Sequence, residues 1–129
     1  MSEENSRLRE LTKDFLNRAT TLSGLYLASP DGLLMAHSSR ITVDPDKVAA
    51  MIASLSAVGD RIMKELLDDE SMHVVVQSRS GYIIIKKYGN IIVGAVVRAY
   101  DESVLGMALL EVEKFIDIIK DELIFKTKT

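Results

Sequence analysis

The chain of 129 residues contains no cysteine and no tryptophan. Without a thiol there is no disulfide, no cysteine nucleophile and no thiolate-bound metal, and the composition fits a reducing compartment. Aromatic residues make up only 5% of the chain, so the core has to be assembled from Ile, Val, Leu, Met and Ala. No basic patch stands out and the net charge is −3, so the electrostatic footprint of a nucleic-acid binder is missing. No apolar stretch approaches the ~18 residues of a membrane span, and the first residues, Met1-Ser-Glu-Glu-Asn-Ser6, are polar rather than a signal peptide. The expectation is one cytoplasmic domain over residues 1–129, with no nucleic-acid partner and no membrane insertion.

What the chain does have is a dense apolar region from Met72 to Arg98, with runs at 72–77, 82–85 and 91–97 broken by turn residues. The last run is apolar on both alternating faces, so it belongs in the middle of a sheet covered on both sides. Periodicity places strands at about 72–78, 81–88 and 91–98, joined by the short turns Ser80-Gly81 and Gly89-Asn90. Two further strands, 24–29 and 33–38, flank Pro30-Asp31-Gly32, where proline presets one turn dihedral and glycine supplies a positive φ. Helices are expected over 5–22 (Leu8, Leu11, Phe15, Ala19, Leu22), from Asp44 to about 67, and over 103–124 with Ser103 as its cap. Asp44 caps the second helix and Pro45 suits its first position. Its buried stripe is read as Val48, Met51, Ile52, Leu55, Ile62 and Leu66.

The fold class is therefore α+β, in the order α-β-β-α-β-β-β-α. A hairpin and a three-stranded meander can join through the third or the fifth strand. The fifth, apolar on both faces, is the better centre, which gives a five-stranded antiparallel sheet of order 2-1-5-4-3 with helices on both faces. Strand three then lies at an edge with no Lys, Pro or bulge to guard it, which invites a second chain. A twofold dimer that extends the sheet resolves this. His73, Val75 and Gln77 are its expected edge residues. Ala49, Ala50, Ala53 and Ala57 are expected on an outer face of the second helix, where small side chains let a partner helix approach closely.

Three stretches together carry a resemblance to a known family: Gly24-Leu-Tyr-Leu-Ala-Ser-Pro-Asp-Gly-Leu-Leu-Met-Ala36, the helix start at Asp44-Pro45, and Gly81-Tyr-Ile-Ile-Ile-Lys86. With Leu105-Gly-Met-Ala-Leu-Leu-Glu-Val-Glu113 they resemble the roadblock/dynein light chain family, in particular its MglB-like members. The resemblance implies homodimers or heterodimers with a ten-stranded sheet and paired second helices. It implies platforms for Ras-like small GTPases, or adaptors on larger complexes, that contribute no catalytic residue. On this reading the second helix offers Ser54, Asp60, Arg61, Lys64 and Glu65 to a GTPase. Arg61, on a regular helix, is poorly placed to serve as an arginine finger.

No catalytic or cofactor chemistry emerges from the motifs, so neither an enzyme nor a cofactor is expected. Gly89-Asn-Ile-Ile-Val-Gly94 has the glycine spacing of a P-loop but is followed by Ala95-Val96 and no helix. Gly94 reads instead as a close-packing position beneath a helix. His37 and His73 belong to no ligand pair, and Asp68, Asp69, Glu70 and His73 read as a solvated helix end. Tyr26, Tyr82, Tyr88 and Tyr100 are core or rim residues rather than a base-stacking platform. The other readings are a structural adaptor dimer without a GTPase, and a ligand sensor of the PAS or profilin-like kind. The sensor would need an interior cavity with a few polar groups.

Overall fold

The computed structural model describes residues 3–99 and 101–128, so Tyr100 lies outside the described residues. The elements are α1 (Glu3–Arg18), β1 (Gly24–Ala28), β2 (Leu34–Ser39), α2 (Pro45–Leu67), β3 (Val74–Ser78), β4 (Gly81–Tyr88), β5 (Ile91–Val97) and α3 (Ser103–Lys128). The five strands form one antiparallel sheet in the order β2-β1-β5-β4-β3. The central strand is the one that is apolar on both faces.

Alternation along the strands sends side chains into two cores. Leu25, Leu27, Ile84, Val93, Ala95 and Val97 pack with Leu8 and Leu16 of α1 and with Val112, Phe115, Ile116 and Ile119 of α3. Tyr26, Ala28, Ile85 and Ile92 pack beneath α2 against Ala49, Ile52 and Ala53. Gly94 lies where α2 crosses β5. A Cβ there would come within 2.9 Å of Ile52 Cγ2, so the helix sits this close only over glycine.

Helix ends differ from expectation where side chains claim the backbone. α1 stops at Arg18 rather than continuing to 22. The N–H groups of Thr20 and Thr21 donate to the Glu111 carboxylate at 3.0 and 2.9 Å, and Arg40 donates to the carbonyls of Leu16 and Leu22. These bonds replace the helical ladder. Leu22 is still buried, but from the connector. At α3, Asp101 rather than Ser103 acts as the cap: its carboxylate accepts from Ser103 N at 2.9 Å and its carbonyl from Val104 N. α2 begins as expected, with the Asp44 side chain accepting from Asp46 N at 3.0 Å and Pro45 in the first turn. β3 is shorter than expected, since Met72 and His73 precede it.

Glu111 also accepts from the Thr21 hydroxyl, tying the end of α1 to α3. Burial raises its pKa, but the Thr21 hydroxyl and the Thr20 and Thr21 N–H groups outweigh that, and the net shift is downward. A carboxyl with a depressed folded-state pKa contributes stability that is complete above its unfolded pKa. That contribution is lost as pH falls through the folded value. Glu111→Gln is therefore expected to lower the melting temperature at pH 7, with the difference from the parent closing below about pH 4. Thermal melts of both proteins across pH 2–8 check this.

Candidate functional site

The surface around the free edge of the sheet starts from strand geometry. β2, at the opposite edge, has α1 laid against it. Among the described residues β3 pairs only with β4, in the register Val74↔Ile85, Val76↔Ile83 and Ser78↔Gly81. The loop between them is Arg79-Ser80, so Ser78 and Gly81 are the closing pair. In a two-residue hairpin that pair is hydrogen-bonded, and bonding alternates along the ladder. The backbone N–H and C=O of Val74 and Val76 therefore point to β4, and those of Val75 and Gln77 point away from the sheet. The Val75 side chain packs against the core beneath α1 and α3, whereas Gln77 is exposed and His73 is exposed ahead of the strand.

α2 presents three faces, and their assignment corrects the sequence reading. The face on the sheet is made of small residues and one isoleucine: Ala49, Ile52, Ala53 and Ser56. Ala49 and Ala53 are 0% and 4% exposed, so neither belongs to an outer strip, whereas Ala50 and Ala57 do face outward. The expected buried stripe is largely the exposed one. Met51, Leu55, Val58, Ile62 and Leu66 recur at helical spacing, with Met51 57%, Val58 53% and Leu66 76% exposed. Close contact over Gly94 selects small residues for the sheet side, which leaves the long apolar side chains pointing elsewhere. A helix with two apolar faces requires a second surface to cover one of them.

The third face gathers Ser54, Arg61, Lys64 and Glu65 beside Ala50 and Ala57. Its polar groups are satisfied by the helix and its C-cap: Ser54 donates to the Ala50 carbonyl, Arg61 pairs with Glu65 at 3.0 Å and Lys64 with the capping Asp68 at 2.8 Å. These pairs are exposed and contribute little to stability. Asp60 stands apart. It bonds Ser71 and Lys87 on the side of the helix that faces the sheet.

Between α2 and the β3 end of the sheet lies an open cleft of about 270 Å³. Tyr26, Ile41, Val48, Leu55, Val76 and Val96 are among its walls. The Tyr26 hydroxyl is the one buried side-chain polar atom without a hydrogen-bond partner among the described residues. Every other residue of the wall is apolar or glycine, so the cleft lacks the set of polar groups that a ligand sensor needs. The cleft continues the exposed stripe of α2 toward Val76 on the edge strand. Neither the small alanines nor the free edge alone signals this surface. A sequence signal does exist in the second helical stripe Met51-Leu55-Val58-Ile62-Leu66, read alongside a glycine in the strand beneath.

Among the described residues no group of three or more His, Asp or Glu side chains could hold a metal ion, and no helix is long and apolar enough to cross a membrane. Residues 8–98 match the family described as the Roadblock/LC7 domain. No curated protein sequence matches the chain. Among solved structures, MglB from Myxococcus xanthus is similar with a TM-score of 0.80 at 16% identity, over 100% of this chain and 95% of that one. A Roadblock/LC7 domain from Streptomyces avermitilis gives 0.75 at 19% identity, over 90% and 97%. The gliding protein MglB from Thermus thermophilus gives 0.71 at 17% identity, over 89% and 87%.

Proposed function

Since this chain belongs to the Roadblock/LC7 family, we propose that it is a non-catalytic dimeric platform that binds a Ras-like small GTPase and biases its nucleotide cycle. The observation that carries the dimer is the exposed apolar stripe of α2 lying beside the unpaired edge of β3. In a twofold pair, β3 meets its own copy and supplies the missing partners for the Val75 and Gln77 backbone groups, and the two α2 stripes cover one another. Each apolar side chain that moves from half-exposed to buried contributes on the order of 1 kcal/mol. Five per protomer, taken twice, stand against an association cost of about 4–15 kcal/mol.

The GTPase reading comes from the family resemblance. The third face of α2, with Ser54, Arg61, Lys64 and Glu65, would become a continuous polar strip across the paired helices. Such a platform works by binding one nucleotide state of the GTPase better than the other, and it shifts the equilibrium by that difference alone. The test is a binding titration of the purified chain against a Ras-like GTPase from the same organism, loaded with GDP or a non-hydrolysable GTP analogue. A preference of about tenfold or more for one state is expected. Equal binding to both states removes the regulatory mechanism, and no binding to either leaves an adaptor dimer.

A further inference from the structure

Past its first two residues, the connector from α2 to β3 is tied back to the helix at Asp60. Asp60, in the C-terminal half of α2, accepts through Oδ1 from Ser71 N at 3.3 Å and from Ser71 Oγ at 2.7 Å. Through Oδ2 it pairs with the Lys87 ammonium on β4. The preceding residue, Gly59, lets the helix meet the edge strand: a Cβ there would lie 2.7 Å from Val74 Cγ2. Helix, connector, edge strand and neighbouring strand thus converge on two consecutive residues of α2. The connector needs such a tie. It starts at Asp68, which has φ 52, with the N–H groups of Asp68 and Asp69 bonded back to the carbonyls of Lys64 and Met63. Its next residues run through exposed positions to Ser71.

We infer that Asp60 is a positioning residue for the edge strand: it fixes where β3 begins relative to the exposed stripe of α2, so that a second chain meets both in one register. The consequence for assembly rests on the dimer reading given above. The local consequence does not. An interface built from two elements keeps its affinity only while their offset is fixed, because a loose element must be ordered at the moment of binding. In an isologous pair every looseness counts twice. The tie is intact at neutral pH. The Lys87 ammonium, then the Ser71 hydroxyl, hold the Asp60 carboxyl below its ordinary value against the opposing effect of burial.

Asp60→Asn keeps the size of the side chain and removes the charge that grips Lys87. Two readouts separate the local effect from assembly. Amide exchange at Val74, Val76 and Ser78, whose N–H groups point to β4, is measured at low protein concentration, with β1 and β5 as internal controls. The dimer dissociation constant is measured by sedimentation. Asp60→Asn is expected to speed exchange at the Val74, Val76 and Ser78 amides about tenfold with β1 and β5 unchanged, and to weaken the dimer about tenfold. Lys87→Met, which breaks the same tie from the other side, is expected to reproduce both effects in the same direction. Unchanged exchange at Val74, Val76 and Ser78, or an equal increase throughout the sheet, overturns the positioning role. If the parent protein is monomeric at every concentration, the dimer reading fails, and the exchange experiment still decides the role of Asp60. A dimer constant that stays put while β3 loosens would show that the offset does not govern assembly.

Discussion

Val58→Lys is expected to turn the proposed dimer into a folded monomer. Val58 sits in the middle of the exposed stripe of α2, makes no part of either core, and is 53% exposed in the single chain. Substitutions at such a position usually change monomer stability by no more than ~0.5 kcal/mol, and lysine is a better helix former than valine. In the proposed pair, where the two α2 stripes cover one another, the same position lies in the interface. Each protomer loses on the order of 1 kcal/mol of apolar burial and must either desolvate an ammonium or open the contact to water. Both copies carry the change, so the burial loss alone is about 2 kcal/mol, and with the ammonium cost added the dissociation constant rises by well over an order of magnitude. Light scattering at micromolar concentration reads this as a halved mass, while circular dichroism and the melting curve at low concentration stay close to those of the parent.

The second large effect is on stability. Gly81 opens β4 with φ +148, a backbone conformation that side chains rarely adopt. A Cβ there would lie 1.9 Å from the Val97 carbonyl oxygen and 3.0 Å from Arg98 Cα. Both neighbours are backbone, so no rotamer change relieves the contact. Gly81→Ala must break the end of the β4–β5 pairing or shift the β3–β4 turn, at a cost of about 3 kcal/mol or more. For a chain of this length that lowers the melting temperature by about 10 °C or more. Gly89 provides the control. Its φ is +57 and nothing lies within 4 Å of a Cβ there, so Gly89→Ala meets only the left-handed backbone penalty of about 1–2 kcal/mol. Urea denaturation of the two variants separates a steric cause from a purely conformational one.

The strand order was legible because one physical cue outranked the rest: Ile91–Val97 is apolar at every position, and only the central strand of a sheet covered on both faces needs that. The hairpin at Pro30-Asp31-Gly32 and the start of α2 at Asp44-Pro45 were legible for the same kind of reason, since each has a stereochemical requirement that few residues meet. The orientation of α2 was not. Large apolar residues at helical spacing ordinarily mark the core face, but here Ala49, Ala53 and Ser56 lie inside and Met51, Val58 and Leu66 lie outside. The deciding contact, Ile52 over Gly94, joins residues far apart in sequence, and no local pattern reports it. Asp60 shows a similar limit. On a helical wheel it joins Arg61 and Lys64 as one more charge, and only the approach of Ser71 and Lys87 distinguishes it. The end of α1 is set by Glu111 and Arg40, which come from other elements, so no local pattern marks it.

The most direct test is hydrogen exchange at the Val75 and Gln77 amides, followed against protein concentration. Among the described residues the ladder to β4 uses their neighbours, and these two N–H groups point away from it. If β3 joins its own copy, both amides are protected at high concentration, lose protection together on dilution, and do so at the concentration where the mass halves. Rapid exchange at both amides, at concentrations where the protein sediments as a dimer, would place the pairing elsewhere and contradict the shared sheet.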